Sequence, residues 1–226
     1  MAPPEGNPNP GGFNIRVVSA AILAPVVLAV VYGGTPFFEV LIAAAALIMA
    51  FEWNRMCDGR PGWLVVGAFY IGIPCWALLS LRADPVAGRE TLFWLLAIVW
   101  SADTGAYAFG RLIGGPKLAP FISPNKTWAG FAGGVGSAAI VGIATALAME
   151  LTAILPLAGW SALIGAVSQG GDLVESWVKR HFSVKDTGTI IPGHGGLLDR
   201  VDGLLIAAIG VFLISLVGEG SILTWM

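Results

Sequence analysis

The chain has 226 residues, of which 56% are hydrophobic and 12% are charged, and its mean hydropathy is +0.80. Soluble domains carry about 25% charged residues, so this composition excludes an ordinary soluble domain and indicates an integral membrane protein. The formal net charge of -2 says little about partners, because the positions of the charges matter more than their sum. Cys57 and Cys75 are too few for a disulfide framework.

The chain begins with a polar stretch rich in proline and glycine, which lacks the basic region and the cleavage site of a signal peptide. We therefore predict that residues 1–14 form a disordered N-terminal lead and that the first apolar segment is a retained helix. Residues 15–226 show neither a soluble domain nor a convincing repeat. They are predicted to form a single transmembrane domain.

A helix needs roughly 20 apolar residues to cross the hydrocarbon core of a bilayer. Segments of this length predict an all-α fold, a polytopic integral membrane helix bundle with about seven transmembrane helices. In chain order the segments are 15–33, 36–55, 62–81, 91–110, 128–150, 154–178 and 202–222. Polar residues 168–172 interrupt the sixth segment, which leaves open a break inside the membrane.

Lysine and arginine favour the cytoplasmic side of a membrane. If the N-terminus is inside, only Arg82 and Arg89 of the 12 basic residues face the other side. The polar segments 111–127 and 179–201 are therefore predicted to be cytoplasmic, on the side where nucleotides are found.

Five acids lie inside or beside the predicted spans, where a charge near the bilayer centre costs at least ~2.5–3.5 kcal/mol. They are expected to face a wet cavity or a partner. The five are Asp103, Asp172, Glu175, Asp199 and Asp202. Asp199 or Asp202 could instead cap the seventh helix, although capping does not explain the acids on neighbouring spans. Glu39 and Glu52 lie near span ends and are predicted to be interfacial.

Carboxylates and cations gathered on one membrane face suggest a site for metal and phosphate. Carboxylate oxygens suit Mg²⁺, which also binds substrate phosphates, and lysines and arginines neutralise the remaining phosphate charge. Glycines 193, 195 and 196 are expected to let the backbone approach a ligand closely. His194 is expected to orient this loop or contact phosphate rather than transfer a proton. Zinc is disfavoured, because His181 is the only other histidine.

A second polar segment, residues 117–127, ends in the donor cluster Ser123, Asn125, Lys126 and Thr127. These residues come directly before the fifth span, and helix N-termini bind anions. An ordinary interfacial turn with Lys126 reaching toward the headgroups is the alternative. The pattern Gly130-x-x-x-Gly134 predicts a close helix-packing face.

One run of residues resembles a known signature. It comprises Ser176-Trp-Val-Lys179-Arg180, then Lys185-Asp-Thr-Gly, then Ile-Pro-Gly-His194-Gly-Gly-Leu-Leu-Asp199-Arg-Val-Asp202. This run resembles the signature of phosphatidate cytidylyltransferases, also called CDP-diacylglycerol synthases. Asp103-Thr-Gly-Ala-Tyr and Ser123-Pro-x-Lys126-Thr-Trp are also similar, so the motif-bearing core spans about residues 100–203. The chain departs from the family at Ala129, where an acidic residue is expected, and it is short for the family.

The resemblance implies transfer of CMP from CTP to phosphatidic acid, which yields CDP-diacylglycerol and pyrophosphate and requires Mg²⁺. It implies metal ligation by Asp172, Asp199 and Asp202, and a catalytic role for these residues and Lys185. Asp103 is expected to orient a lysine or hold a second cation. The other residues implied in substrate binding are Ser123, Asn125, Lys126, Ser176, Lys179, Arg180, His194, Gly195, Gly196 and Arg200.

The implied partners are CTP, phosphatidic acid and the lipid bilayer, with no nucleic acid. Helix faces rich in small residues are compatible with a homodimer. The expected location is the plasma (inner) membrane of a bacterium, as a multi-pass protein with its active site on the cytoplasmic face.

Two other functions fit parts of the sequence. The CDP-alcohol phosphotransferases share D-x-x-D-G, which occurs at Asp199–Gly203, but the Ala-Arg and two further aspartates expected after it are missing. An ion-coupled transporter would carry Asp172 on a broken sixth helix. It would also show an inverted repeat, and none is seen in the sequence.

Overall fold

The structure is a computed structural model that describes residues 10–188, 190, 195–218 and 220–224, with side chains from residue 21 onward. Its elements are α1 (Pro10–Gly33), α2 (Phe37–Cys57), α3 (Pro61–Arg82), α4 (Gly88–Leu112), β1 (Lys117–Ala119), β2 (Ser123–Thr127), α5 (Trp128–Ala148), α6 (Ile154–His181), α7 (Leu198–Val217) and a short 3₁₀ turn, Ile222–Thr224. The prediction of an all-α polytopic bundle with about seven helices is confirmed.

Five of the described helices, α2, α3, α4, α5 and α7, are long and apolar enough to cross a membrane. α6 is the longest helix, with 28 residues, and its C-terminal half carries most of its polar residues. It passes through residues 168–172 without interruption, so the break left open by the sequence does not occur. The transporter alternative loses the broken helix on which it depended.

Beyond shifts of a few residues at helix ends, the structure differs from the prediction in three respects. α1 begins at Pro10, within the segment predicted to be a lead, and residues 1–9 lie outside the described residues. α7 begins at Leu198 rather than at residue 202, so Asp199 lies in its first turn. The segment between α4 and α5 forms an antiparallel hairpin in which Lys117 pairs with Thr127, an element that the sequence analysis did not predict.

The core is formed by α4 together with the helices around it. Buried Leu95, Ile98 and Ala102 of α4 belong to one apolar cluster with Ile164 of α6 and Ala207 of α7. A second cluster joins α2, α3 and the end of α6 to the first turns of α7, through Trp53, Ile71, Val178, Leu198 and Leu205. The second cluster packs the start of α7, whereas the first packs the middle of that helix.

α4 and α5 approach each other along a row of glycines, as small residues permit in membrane proteins. A Cβ atom on Gly130 would lie 2.7 Å from the Ala106 carbonyl oxygen. A Cβ atom on Gly134 would lie 2.7 Å from both the Ala102 carbonyl oxygen and Gln169 Nε2. The predicted packing role of Gly130 and Gly134 is confirmed.

Helix direction brings the polar segments to one end of the bundle. The C-terminal ends of α2, α4 and α6 meet the N-terminal ends of α3, α5 and α7 there. Contacts between these ends include Lys126 Nζ with Asp172 Oδ2 and the Leu197 amide with Glu52 Oε1. We call this end the polar end, and it carries the candidate site.

The glycine row predicts a position-specific cost of added volume. Gly134→Ala should lower the free energy of unfolding by about 1–3 kcal/mol, the usual cost of overpacking. Gly136→Ala on the same helix is the matched control, because no heavy atom lies within 4 Å of its added Cβ. The free energy of unfolding of both variants, measured in one detergent, checks this. Equal values would contradict the prediction and show that the helices move apart at little cost.

Candidate active site

A cavity of about 1030 Å³ opens at the polar end, between α4, α5, α6, α7 and the hairpin. Eight of the predicted site residues line it. They are Asp103, Asn125, Lys126, Asp172, Lys179, Asp199, Arg200 and Asp202. The structure therefore brings together acids and cations from three helices and a hairpin that are distant in sequence.

Lys126 reaches from the hairpin to α6. Its Nζ lies 2.6 Å from Asp172 Oδ2 and donates a hydrogen bond of 3.4 Å to the carbonyl oxygen of Gln169. Ser176 Oγ, one turn further along α6, donates to Asp172 Oδ1 at 3.2 Å. Ser176 therefore orients Asp172 and is not among the cavity-lining residues of the described chain.

Lys179 connects α6 to α7 through two carboxylates. Its Nζ lies 2.7 Å from Glu175 Oε2 and 2.8 Å from Asp199 Oδ1, and the Glu175 side chain is fully buried. A buried carboxylate is very unfavourable without a charged partner. The lysine therefore neutralises two acids that the fold has removed from water.

Asp199 uses its second oxygen to hold the segment that precedes α7. Oδ2 accepts hydrogen bonds from the Thr187 amide at 2.9 Å, the Thr187 hydroxyl at 3.1 Å and the Gly196 amide at 3.0 Å. Both ends of the segment 187–196 are thereby fixed to one side chain. Gly195 has a φ of +89°, a left-handed conformation that favours glycine.

Glu52 is a component of the polar end that the sequence analysis placed at the membrane interface. Its side chain is 1% exposed, and its two oxygens accept the Leu197 and Leu198 amides, each at 2.9 Å. It therefore caps α7 from another helix. The sequence analysis considered Asp199 or Asp202 as caps of this helix, but α7 has no side-chain cap at its N-cap residue Leu197.

Asp103 is a further acid of the cavity wall. Two more acids of the cavity, Asp172 and Asp202, lie outside the Asp199 network, and Asp172 is paired with Lys126. The negative charges of Asp172 and Asp202 repel each other. Among the described residues, no three carboxylates, histidines or cysteines come together in a way that could hold a metal ion. Asp172 and Asp202 still fit Mg²⁺, which commonly takes one or two carboxylates together with waters and substrate phosphates. Asp199, with four protein donors, does not fit as a third ligand.

Several predicted residues lie away from the cavity walls. Arg180 donates to the carbonyl oxygens of Ile122 and Val184, at 3.3 and 3.2 Å, and so ties the hairpin to the end of α6. Lys185 is exposed. The other predicted residues that are described but do not line the cavity are Ser123, Ser176, Gly195 and Gly196. The expectation for His194 falls outside the described residues.

Residues 59–217 match the cytidylyltransferase family. The chain belongs to the cytidylyltransferase family. A protein named phosphatidate cytidylyltransferase in Brucella suis biovar 1 (strain 1330) is 46% identical over 178 residues, which are 76% of this chain and 63% of that protein. The chain thus spans less than two thirds of the length of this relative.

Two further relatives carry the same name. The protein of Rickettsia felis (strain ATCC VR-1525 / URRWXCal2) is 33% identical over 209 residues, which are 89% of this chain and 92% of that protein. The protein of Bacillus subtilis (strain 168) is 37% identical over 180 residues, 76% of this chain and 65% of that protein. All the predicted site residues of this cytidylyltransferase family member lie within the matched region, whereas Glu52 precedes it.

The cavity also contains residues that the sequence analysis missed, among them Tyr107, Arg111 and Gln169. Arg111 Nη1 donates to Tyr107 Oη at 2.8 Å. Asp103, Tyr107 and Arg111 are four residues apart, which places them on one face of α4. Helical spacing from Asp103 would have identified the other two.

The Asp199 network predicts a structural role for this carboxylate. Asp199→Asn should lower the free energy of unfolding by about 3 kcal/mol, the low end of the cost of breaking a buried ion pair. Asp103→Asn, which changes another carboxylate of the same cavity, should not lower it. Unfolding measurements in detergent without substrate check this, and a stable Asp199→Asn protein would contradict it.

Proposed function

We propose that this protein transfers CMP from CTP to phosphatidic acid, forming CDP-diacylglycerol and pyrophosphate. The observation that carries the proposal is the cavity at the polar end, which places Asp172 and Asp202 beside Lys126, Arg111 and Arg200. The relatives named phosphatidate cytidylyltransferase support this substrate pair, including one that the chain covers over 92% of its length.

The cations of the cavity suit two phosphate-bearing substrates. Lys126 and Arg200, with Arg111 on the α4 wall, supply positive charge to a nucleoside triphosphate and a lipid phosphate. Lys179 is held between Glu175 and Asp199, so its charge is largely neutralised within the protein. Lys126 is paired with Asp172 alone among the described carboxylates. We assign the phosphate contacts to Lys126, Arg111 and Arg200, with Asn125 as a further donor.

Asp172 and Asp202 are the residues that would hold Mg²⁺ in this cavity. Bound there, the ion would withdraw negative charge from the phosphates as the transferred phosphorus becomes more electron-deficient. The pairing of Lys126 with Asp172 keeps that carboxylate oriented toward the cavity. A second cation, orientated by Asp103, is part of the same proposal.

The reaction requires positioning and charge neutralisation more than proton transfer. An oxygen of the phosphatidate headgroup forms a bond to the α-phosphorus of CTP, and the bond from that phosphorus to the bridging oxygen breaks. Pyrophosphate leaves with the electron pair. The attacking oxygen belongs to a phosphate monoester, which is mostly ionised near neutral pH, so no side chain needs to act as a base.

The proposed setting is the inner membrane of a bacterium, with the polar end facing the cytoplasm. Ten of the 12 basic residues lie toward that end, in agreement with the positive-inside rule. The acyl tails of phosphatidic acid can stay in the bilayer while its headgroup enters the cavity. A homodimer is part of the proposal, supported by small-residue surfaces such as that at Gly136, where an added Cβ meets open space.

The activity is tested with purified protein, labelled CTP, phosphatidic acid and Mg²⁺. Wild-type protein should form labelled CDP-diacylglycerol and lose this activity when the metal is chelated. Asp172→Asn and Asp202→Asn should lower kcat at least ~100-fold, because both carboxylates face the reacting phosphates. Glu150→Gln, an exposed acid at the opposite end, should keep full activity. Absence of product from wild-type protein would overturn the proposal.

Lys126 should affect nucleotide binding more than other lysines near it. Lys126→Met should lower kcat/KM for CTP about 10- to 100-fold, since a hydrogen bond to a charged group contributes roughly 1.5–3 kcal/mol. Lys117→Met is the control, because Lys117 is an exposed lysine at the start of the same hairpin. Steady-state kinetics with varied CTP check this, and equal values for the two variants would contradict the assignment.

A further inference from the structure

We propose that Glu52 is a positioning residue of the active site, which fixes the first turn of α7 and the segment before it. The kinetic part of this inference rests on the proposed function. Glu52 lies in α2, before the region matched to the family, and is separated from Leu197 by 145 residues. It touches neither the cavity wall of the described chain nor any site residue predicted from the sequence other than Gly196.

The contact between Glu52 and α7 satisfies both partners. The first amides of a helix have no partner within the helix, and α7 has no side-chain cap of its own. Glu52 accepts the Leu197 amide with Oε1 and the Leu198 amide with Oε2, both at 2.9 Å. The positive end of the helix dipole also favours a carboxylate there. No lysine or arginine of the described residues pairs with Glu52, so these two amides supply its partners.

Glu52 and Asp199 act on the same segment. The Thr187 hydroxyl lies 3.1 Å from Asp199 Oδ2 and 3.5 Å from Glu52 Oε2. Asp199 holds the Thr187 and Gly196 amides, whereas Glu52 holds the next two amides along the chain. We call this pair of acids with Thr187 the carboxylate clamp. Its five hydrogen bonds to amides and the Thr187 hydroxyl, each of 3.1 Å or less, close the loop onto α7.

The glycines of the loop make room for this clamp. A Cβ on Gly196 would lie 2.9 Å from both oxygens of Glu52, and one on Gly188 would lie 2.8 Å from Oε1. The sequence analysis expected Gly196 to make room for substrate. The space that a side chain at Gly196 would need is instead taken up by Glu52 and the Thr187 hydroxyl.

The clamp acts on the site because it holds the helical turn that carries Asp202. Asp202, which faces the cavity, is four residues beyond Leu198, about one helical turn away. A change in the direction of that first turn moves the Asp202 carboxylate relative to Asp172 on α6. A displacement of about 1 Å at a reacting centre can cost about 100-fold in rate.

The choice of substitution separates positioning from packing. Glu52→Gln preserves shape and volume, but one of the two acceptors becomes an NH₂ donor facing an amide donor. Glu52→Asp loses a methylene but retains two accepting oxygens. If Glu52 acts only by packing, Glu52→Gln should keep the wild-type kcat and Glu52→Asp should lower it. The clamp predicts instead that Glu52→Gln lowers kcat more than Glu52→Asp does.

The experiment measures CDP-diacylglycerol formation by full-length wild-type, Glu52→Gln and Glu52→Asp proteins in one detergent. Glu52→Gln should lower kcat about 10- to 100-fold, the usual cost of removing a group that orients a ligand residue, with a smaller change in KM for CTP. Glu52→Asp should retain more activity than Glu52→Gln. Glu39→Gln is the matched control, because it makes the same change at the exposed, opposite end of α2 and should leave kcat unchanged.

A second readout is independent of activity. Amide hydrogen exchange in a peptide covering residues 195–200 should be faster in Glu52→Gln than in wild type, because two amides lose their acceptor. Faster exchange with no product from wild-type protein would retain the clamp and reject only the proposed function. Wild-type kcat and exchange in Glu52→Gln would overturn the positioning role. If Glu52→Gln does not fold, Thr187→Val tests the clamp at the hydroxyl that lies between Asp199 and Glu52. Unchanged kcat and exchange in that variant would overturn the clamp.

Discussion

Charges removed from water must find partners within the protein, and in a membrane bundle this requirement organises the whole polar end. Lys179 lies between Glu175 and Asp199, and Asp199 in turn binds the amides before α7. Glu52 accepts two amides at the start of the same helix. The result is a continuous network that joins α2, α6 and α7 beneath the cavity. The network adds directional contacts between α6 and α7 to the apolar packing of these helices, which is not directional.

The network divides the acids of the polar end into two groups. Glu52, Glu175 and Asp199 have their charge compensated by protein donors and cations, and they act on the fold. Asp172 and Asp202 line the cavity, where Asp172 is paired with Lys126 and where substrate phosphates and a metal would complete the surroundings of both acids. The repulsion between these two like charges is tolerable in a wet cavity and decreases when a cation binds. A site of this kind is stable without ligand and yet prepared for one.

Hydropathy was sufficient to predict the helices, because each segment is long and apolar. Acid positions and the family signature predicted which chain segments meet, and eight predicted residues do line the cavity. The sequence could not predict that Asp199 holds the segment before α7 whereas Asp202 faces the cavity, because a spacing of three residues does not distinguish the two acids. The difference depends on donors supplied by Thr187 and Lys179. The role of Glu52 depends on contacts 145 residues away, for which its local sequence carries no pattern.

The polar end combines a glycine-rich segment with a carboxylate that requires a fixed position. A glycine-rich segment loses much conformational entropy on folding and holds its neighbours poorly, whereas a catalytic carboxylate such as Asp202 requires a fixed position. Carboxylates that accept several amides in surroundings of low dielectric form stronger hydrogen bonds than they do in water. Glu52 and Asp199 thereby fix Thr187, Gly196, Leu197 and Leu198 at the two ends of the segment. The small size of Gly196 is then useful, because it permits the close approach of Glu52 that fixes α7.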